Sequence, residues 1–335
     1  MKLIISSLVF CMLLISATGC GLQDSSKTLV LGHAMHLAHP VSEAMAKMAD
    51  EVERLSNGKL TIEIYPSAQL GGERQLMELV QIGAVDITKV SGASLGNFVP
   101  EIRVLSLPYL FGSREHAASV FWGEASEVGE GLLGTGTKYN LKGIGYYDAG
   151  SRSFYTRNTR VTEPEDLKGL KVRVQPSNMA TRLIKSLDAS PTPIPYGELY
   201  TALQSGIVDA AENNPPSFHT ARHYEVCKYY IIDRHTTIPD LLVINPDTWK
   251  RLSDEEKEWL TKAKETSVDY QRELWNNAVD EAFNVVEEAG VEVIYPDVTP
   301  FREMTKPMYQ EFKNNNPEIY KWVEKIQQSE TILQP

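Results

Sequence analysis

The sequence predicts an α/β protein of two lobes, each a mostly parallel sheet flanked by helices, with one long helix spanning both lobes. Strand-like and helix-like segments alternate in the same order in two parts of the chain. Later, the roughly 36 residues before Gly290 contain no proline or glycine that would interrupt a helix. The length of 335 residues also suits two lobes better than one core.

The first lobe begins with alternating strands and helices. Hydrophobic periodicity predicts strands at 28–32, 60–65 and 85–90 and helices at 39–55 and 73–81. Asn57 and Gly58 mark the end of the first helix, and Gly83 marks the end of the second. This strand–helix–strand–helix–strand order implies mainly parallel strands covered by helices.

The second lobe repeats this order. The pattern predicts strands or extended segments at 170–174, 191–195 and 207–211 and helices at 179–187 and 198–204. The junction QIGAVD at 81–86 is also similar to QSGIVD at 204–209. In both, glycine stands where a helix ends and Val-Asp stands where the next strand begins. We therefore expect two lobes of similar construction.

The last third of the chain contains the long helix. Ser253 and Glu256 form a capping box, and about 36 residues of helix would extend roughly 54 Å, which exceeds one lobe. A strand at 291–295 and helices at 301–312 and 317–326 complete the chain. This pattern assigns 28–150 and about 239–278 to lobe I, and 151–238 and about 279–330 to lobe II.

The N-terminus predicts export. Lys2 precedes an apolar stretch at 3–15, and small residues lead to Cys20, so residues 1–19 are typical of a signal peptide too short to span a membrane. The small residues before Cys20 resemble a bacterial lipobox, in which Cys20 carries lipid and residues 20–27 form a tether. The alternative is cleavage after Ala17 or Gly19, which would leave Cys20 as an ordinary thiol.

Composition and missing motifs exclude several functions. The net charge is −11 and no Lys/Arg run is present, so we do not expect nucleic acid as a partner. With Cys20 lipidated, the mature chain keeps only Cys227, which is expected to be a packed strand residue. No phosphate loop, nucleophile elbow or zinc-protease motif is present. The sequence therefore predicts neither an enzyme nor a cofactor.

Two arginines are the strongest candidates for binding a ligand. Arg173 lies in the predicted strand GLKVRV, whose apolar residues share one face, so that Arg173 points to the other. A buried guanidinium requires a partner, which could be a ligand carboxylate or an internal acid. Arg152 lies where the chain is expected to pass from one lobe to the other.

Asn213 and Asn214 follow the strand predicted at 207–211. They are therefore expected at the carboxyl end of a parallel strand, which is where open α/β sheets bind ligands. An asparagine amide can both donate and accept hydrogen bonds to hydroxyls and carboxylates. The alternative is that the run NNPP only forms a turn.

Several polar residues are expected near the first predicted helices. His33, His36 and His39 could together hold a metal, but no Asp or Cys joins them and Pro interrupts the helical spacing. We expect instead that His39 starts a helix and that His33 or His36 faces a cleft. Glu73 and Arg74 follow two glycines and either simply open the next helix or face the same cleft.

Over nearly all of its mature length the chain resembles the substrate-binding subunits of TRAP transporters, of the dicarboxylate-binding DctP type. The matching stretches are LPYLF at 107–111, DLKGLKVRV at 166–174, ASPTPI at 189–194, ELYTALQ at 198–204 and GIVDAAEN at 206–213. The resemblance implies a periplasmic-binding-protein-like fold whose two lobes close over the ligand. It also implies that Arg173 forms a salt bridge with a ligand carboxylate, assisted by Arg152 and Asn213.

Within that family the chain looks most like receptors for sugar acids, because of ENNPPSF at 212–218 and HYE at 223–225. The resemblance implies a hexuronate such as glucuronate or galacturonate. Glu73 and Asp240 would accept hydrogen bonds from sugar hydroxyls and repel a second carboxylate. The complete set of hydroxyl partners expected here is His33, His36, Glu73, Asn214 and Asp240.

The resemblance also implies TRAP membrane subunits as partners and an extracytoplasmic, monomeric receptor that the lipid on Cys20 would anchor to a membrane. Receptors of the same type for C4-dicarboxylates, keto acids or sialic acid remain alternatives. So do an exported sugar-acid enzyme, a metal-binding lipoprotein, and a receptor that serves a sensor instead of an importer.

Overall fold

A computed structural model describes residues 26–330. The signal peptide at 1–19, the lipidation at Cys20 and all but the last residues of the tether lie outside the described part. Two mixed sheets flanked by helices form two lobes, which confirms the predicted two-lobed α/β fold. Within residues 26–330, no helix has both the length and the apolar character needed to cross a membrane.

The strands expected from the sequence are present, most of them with boundaries within one or two residues of the prediction. The strands at 142–147, 151–156, 229–237 and 240–244 are additional. They are β1 (Lys27–Gly32), β2 (Leu60–Tyr65), β3 (Ile87–Ser91), β4 (Lys142–Tyr147), β5 (Ser151–Thr156), β6 (Lys171–Val174), β7 (Ser190–Pro193), β8 (Ala210–Asn213), β9 (Tyr229–Thr237), β10 (Asp240–Ile244) and β11 (Glu292–Ile294).

The helices expected from the sequence occur in the predicted order, and those at 92–95, 114–122, 126–135, 215–220 and 246–251 are additional. Short 3-10 turns supplement them. They are α1 (Pro40–Ser56), α2 (Glu73–Gln81), α3 (Gly92–Leu95), α4 (Arg114–Trp122), α5 (Ser126–Thr135), α6 (Asn178–Ser186), α7 (Leu199–Ser205), α8 (Pro215–Thr220), α9 (Pro246–Arg251), α10 (Asp254–Glu288), α11 (Thr299–Thr305), α12 (Pro307–Asn315) and α13 (Pro317–Ser329).

Both sheets are mixed, whereas the sequence predicts mostly parallel ones. Lobe I has the strand order β2-β1-β3-β10-β4 and lobe II has the order β11-β9-β5-β8-β6-β7. In lobe I, β10 runs antiparallel to both neighbours, as β5 does in lobe II. Each of these two strands begins directly after the chain has crossed from the other lobe. Each strand therefore starts at the edge of the sheet where its neighbours end, so it must run antiparallel to them.

The long helix α10 is confirmed. It contains 35 residues and begins with the predicted capping box, in which Ser253 Oγ accepts from the Glu256 N–H and the Glu256 carboxylate accepts from the Ser253 N–H. The helix contacts α1 in lobe I and α8 in lobe II. It therefore forms a common support for both lobes.

Two C-terminal features differ from the sequence-based description. The helix expected at 301–312 is divided into α11 and α12, because Pro307 lacks an N–H and cannot continue a helix from its preceding turn.

The last helix, α13, contacts lobe I: His116 Nε2 lies 2.8 Å from the Ile326 carbonyl oxygen. We therefore assign α13 to lobe I, although sequence order placed it in lobe II. The apolar face of a helix does not specify which lobe covers it.

Cys227 lies two residues before β9 and not within a strand. Its side chain is buried and carries a free thiol. Burial raises the pKa of this thiol, so it stays protonated and unreactive at neutral pH. The expectation of a packed, inert cysteine therefore agrees with its environment, although the strand assignment does not.

Candidate ligand-binding site between the lobes

The two lobes meet at the carboxyl ends of β3 and β6. Ser91 Oγ at the end of β3 donates to Gln175 Oε1, just after β6, at 3.3 Å. Asn97 Nδ2 donates to the Pro176 carbonyl at 2.6 Å. On the other side of the crevice, His39 Nε2 lies 3.1 Å from Ser217 Oγ. The structure therefore has the two lobes in direct contact.

The chain segment between β4 and β5 is held to the long helix where it crosses the lobes. Gln271 Nε2 donates to the Asp148 carbonyl at 2.7 Å, and Gln271 Oε1 accepts from the Asp148 N–H at 2.8 Å. Gly150 has φ +56°, and a Cβ there would lie 3.2 Å from Trp275 Nε1. Both observations favour glycine at this crossing. This segment fixes the position of Arg152 directly after it.

Arg173 is buried on β6 and retains an unpaired cationic group. Its Nε donates to the Ile194 carbonyl at 2.8 Å, but its buried Nη1 has no hydrogen-bond partner. No carboxylate within residues 26–330 forms an ion pair with it. Burial lowers the pKa of Arg173, yet a guanidinium stays charged at neutral pH. The site therefore contains a cation that an incoming anion could neutralise.

Arg152, in contrast, is fully engaged by the protein. Its Nε and Nη2 donate to the Glu212 carboxylate, Nη2 also donates to the Glu212 carbonyl at 2.8 Å, and Nη1 donates to Asn213 Oδ1 at 3.0 Å. This is a buried bidentate pair, the strongest arrangement for these two groups. Arg152 can therefore support the site, but its charge is already balanced.

Asn213 and Asn214 have different surroundings. In the parallel pairing of β6 with β8, Arg173 is in register with Ala211, so Arg173 and Asn213 point to the same face. Asn213 Oδ1 accepts from Arg152 and from the Asn214 N–H, which directs its amide nitrogen away from both. Asn214 is the N-cap of α8 and donates to the Ala149 carbonyl at 3.0 Å. Its amide therefore has a structural role.

A buried acid and a histidine extend the Arg152 pair. His235 Nδ1 lies 2.9 Å from Asp233 Oδ2, and its Nε2 lies 3.6 Å from the Glu212 carboxylate, an ion-pair contact too long for a hydrogen bond. Burial by itself would lower the pKa of His235, but Asp233 and Glu212 outweigh it and raise the pKa to about 9. His235 is therefore a cation at neutral pH and helps to hold Glu212 in place.

We expect this histidine to make stability depend on pH. Its pKa is about 9 in the folded protein against 6.5 for the ordinary side chain, so its stabilisation is complete below pH 6.5 and lost as pH rises towards 9. The loss should be on the order of 3 kcal/mol. Urea unfolding between pH 6 and 10 measures it. A His235→Asn variant should have a flatter profile, and parallel profiles for the two proteins would contradict the assignment.

The three N-terminal histidines are not equivalent. The Met35 N–H donates to His33 Nδ1 and the Val41 N–H donates to His39 Nδ1, which places the ring proton of each on Nε2. His39 Nε2 directs its proton across the crevice to Ser217 Oγ in lobe II. His33 Nε2, in contrast, is buried and has no hydrogen-bond partner. Burial, followed by the charge of Lys89, lowers both pKa values to about 3, so both rings are neutral.

His36 is exposed, and its ring centroid lies 6.5 Å from that of Tyr196 in lobe II. It therefore lies at the mouth of the crevice. No group of three or more His, Cys, Asp or Glu side chains in residues 26–330 is arranged to hold a metal ion.

Glu73 and Asp240 converge on a lysine in the middle of β3. The ammonium of Lys89 lies 3.0 Å from Asp240 Oδ2 and 3.4 Å from Glu73 Oε1, and the latter also accepts from the Ser91 N–H at 3.0 Å. Lys89 is buried. The next residue along the helix, Arg74, pairs with Glu78 on the exposed side of α2 and lies outside this cluster.

Several residues of the site are not among those that the sequence predicts. Lys89 is a charged residue inside the short buried strand β3, and Asp233 and His235 follow the apolar residues at the start of β9. His223, in contrast, lies outside any strand and gave no such signal. Its Nδ1 lies 2.9 Å from the Tyr155 hydroxyl, and its buried Nε2 has no partner.

Comparison with known proteins shows the family to which this chain belongs. Residues 31–315 match the model of the bacterial extracellular solute-binding proteins, family 7, also named DctP. The chain belongs to this family. Family 7 proteins bind solutes outside the cytoplasm, which agrees with the exported receptor that the sequence predicts.

Similar proteins include a relative from Salmonella typhimurium and solved structures of TRAP periplasmic solute-binding proteins. The chain is 37% identical to the uncharacterized protein YiiZ of Salmonella typhimurium, over 87% of this chain and 88% of that protein. A TRAP periplasmic solute-binding protein from Anaerococcus prevotii with bound glucuronate has a TM-score of 0.89 and 35% identity, covering 92% of this chain and all of that one. One from Bradyrhizobium sp. BTAi1 with galacturonate has a TM-score of 0.86 and 37% identity, covering 90% and 100%.

Proposed function

We propose that this family 7 protein is the receptor of a TRAP-type importer and binds a hexuronate, such as glucuronate or galacturonate, between its lobes. The observation that carries the proposal is Arg173. A buried guanidinium with an unpaired nitrogen and no carboxylate partner in residues 26–330 is expensive unless an anion completes it. A ligand carboxylate supplies two acceptor oxygens in a geometry that matches the guanidinium.

The surroundings of Arg173 support a monocarboxylate with hydroxyl groups. The Asn213 side chain lies on the same face as Arg173, and His33 Nε2 in lobe I and His223 Nε2 in lobe II have no partner. These groups can hydrogen-bond hydroxyls but carry no charge that would balance a second carboxylate. The bound glucuronate and galacturonate in the structures from Anaerococcus prevotii and Bradyrhizobium sp. BTAi1 support the same class of ligand.

Closure of the lobes is the proposed mechanism. A ligand shifts the protein to the closed form only through contacts that the open form lacks. Arg173 and Asn213 belong to lobe II, whereas His33, Glu73 and Asp240 belong to lobe I. A ligand held by Arg173 would reach the lobe I groups only when the lobes meet, so it would favour closure.

A ligand panel tests the proposal. Thermal unfolding is measured with glucuronate, galacturonate, succinate, malate and sialic acid at millimolar concentration. We expect the two hexuronates to raise the melting temperature, because a ligand at about 100 times its Kd adds about 2.7 kcal/mol to the free energy of unfolding. No shift with either hexuronate, together with a clear shift with succinate or malate, would reject the hexuronate assignment.

We also propose that a lipid on Cys20 anchors the receptor on the outer side of a membrane, where it delivers the ligand to TRAP membrane subunits as a monomer. The lipobox-like sequence before Cys20 supports the anchor. The mass of the mature N-terminal peptide checks it, because an unmodified Cys20 or cleavage at another residue would exclude this form of attachment.

A further inference from the structure

The described chain enters lobe I at Lys27, the first residue of β1. The ammonium of Lys27 donates to the Glu256 carboxylate at 2.7 Å and to the Arg251 carbonyl at 3.3 Å. These contacts hold the start of β1 beside the junction of α9 and α10. Seven peptide bonds join Cys20 to Lys27, so their Cα atoms are at most about 25 Å apart. A lipid on Cys20 would therefore keep this junction close to the membrane surface.

An open groove of about 200 Å³ lies next to the same junction. Its lining includes residues from β4, α9 and α10, namely Lys142, Trp249, Leu260, Thr261 and Lys264. Glu256, Leu260 and Lys264 are spaced four residues apart, so they follow one side of α10. The groove therefore begins one helical turn, about 6 Å along the axis, from the carboxylate that Lys27 contacts.

The groove combines an apolar floor with an aromatic ring and two lysines. Leu260 is buried beneath it, and Trp249 is half-buried. The ammonium of Lys142 lies 5.4 Å from the centre of the Trp249 ring, and no acid within residues 26–330 forms an ion pair with this lysine. Lys264 lies 3.5 Å from the exposed Glu265. A half-buried tryptophan beside lysines is typical of surfaces that meet the boundary between lipid and water.

The groove lies at the edge of the lobe I sheet that is opposite to the crevice. Lys142 is in register with Ile244, which is in register with Ile87 at the start of β3. The crevice, in contrast, lies at the other end of β3, where Ser91 contacts lobe II. β4 is also the last strand of the lobe I sheet. A surface that covers the groove would therefore leave the crevice open to ligand.

The short tether indicates which surface the groove meets. Tethering by a short linker keeps lipid headgroups at an effective concentration of about millimolar, so even a weak contact is populated. The chain as a whole has a net charge of −11, which disfavours contact with an anionic surface except where the local charge is positive. The lining of the groove contains two lysines and no acid. Anionic headgroups are therefore the complementary partner.

We infer that the groove between β4, α9 and α10 binds the phosphate of an anionic phospholipid headgroup and seats lobe I on the membrane that carries the Cys20 lipid. Lys142 and Lys264 pair with the phosphate, and the Trp249 ring lies among the headgroups. The receptor then rests with its crevice directed away from the lipid. The inference rests on the proposed lipid anchor, but it does not depend on which ligand the crevice binds.

Fluorescence quenching tests this contact. The lipidated protein is reconstituted in vesicles of phosphatidylcholine alone, or of equal parts phosphatidylcholine and phosphatidylglycerol, with a nitroxide on the headgroup of some lipids as the quencher. Trp249 is one of five tryptophans, so seating of this residue alone should remove up to about one fifth of the emission. We expect the quenching to be at least about twofold stronger with phosphatidylglycerol, and to weaken as salt screens the lysines.

Three variants locate the contact. Trp249→Phe should abolish the quenching, and Lys142→Gln should reduce it to about half or less. Trp322→Phe is the matched control, because Trp322 is also a half-buried tryptophan of lobe I and has the ammonium of Lys325 4.6 Å from its ring centre. Its helix, α13, packs on α4 and α5. This variant should keep the quenching of the wild type.

Three results would overturn the inference. The first is a wild type that is not quenched in either kind of vesicle. The second is equal quenching in the wild type and in Trp249→Phe, which would place another face of the protein on the membrane. The third is quenching that depends neither on phosphatidylglycerol nor on Lys142, which would mean that the tether alone brings the protein close to the lipid.

Failure of the lipid anchor has a different signature. An unmodified Cys20 in the mature N-terminal peptide rejects the anchor, but coupling of its thiol to a maleimide phospholipid then supplies a tether at the same residue. Cys227 does not interfere, because its thiol is buried. The same comparison of the wild type with Trp249→Phe and Trp322→Phe then decides whether the groove contacts the membrane. Hexuronate affinity should be unchanged in Trp249→Phe, since the groove is distant from the crevice.

Discussion

Replacement of Arg173 by methionine should reduce hexuronate affinity by about 2–5 kcal/mol, or roughly 30-fold to several thousand-fold. No acid among residues 26–330 forms an ion pair with the buried guanidinium of Arg173, whereas Arg152 is paired with Glu212. We therefore place the ligand carboxylate against Arg173. Its loss would leave the ligand carboxylate in the crevice without a charged partner. Calorimetric titration with glucuronate and galacturonate measures the effect.

The same substitution should change the stability of the ligand-free protein by no more than about 1 kcal/mol. Arg173→Met removes the hydrogen bond from Nε to the Ile194 carbonyl, but it also removes a buried charge that no carboxylate compensates. Arg182→Met is the control, because Arg182 lies on the following helix and pairs with Glu311 at the surface. Wild-type affinity in Arg173→Met would remove the clamp from the mechanism.

Replacement of Glu212 by glutamine should lower the free energy of unfolding by about 3–5 kcal/mol. Burial alone would raise the pKa of Glu212, but Arg152 and His235 outweigh it and lower the pKa to about 2, so the carboxylate is ionised at all ordinary pH values. Glutamine has nearly the same shape but no charge. Arg152 and His235 would then be buried cations without their shared anion. Urea unfolding at pH 7 measures the loss.

Glu225→Gln is the control for this substitution. Glu225 is also hydrogen-bonded, to Tyr200 and Arg222, but it lies at the surface. A change within about 0.5 kcal/mol is expected there. If Glu212→Gln lost less than about 1 kcal/mol, the buried Arg152 pair would not contribute the expected stability. Arg152 could then be available to a ligand, as the resemblance to the family implies.

The site could be predicted in part, because a charged residue inside a strand of mainly apolar residues can be recognised in the sequence. The alternation of β6 places its apolar residues on one face, which indicated that Arg173 is directed to the other face. Lys89 is also a charged residue inside a buried strand, β3, and its position there could have been noticed. The pattern of a strand does not show which residue, if any, pairs with each charged side chain. Arg152 has an internal acid and Arg173 does not, although both are arginines in buried strands.

The sequence by itself determined the two lobes, the repeated strand–helix order of β1 to β3 and of β6 to β8, and the continuous helix α10, because these depend on local periodicity and on the positions of glycine, proline and capping residues. Tertiary structure alone decided the direction of β5 and β10, the packing of α13 on lobe I, and which charges are balanced. The physical reason is that these features depend on residues distant in the chain. Glu212 lies 60 residues after Arg152, and Asp240 lies 151 residues after Lys89. Only the folded chain brings such pairs within a few ångströms.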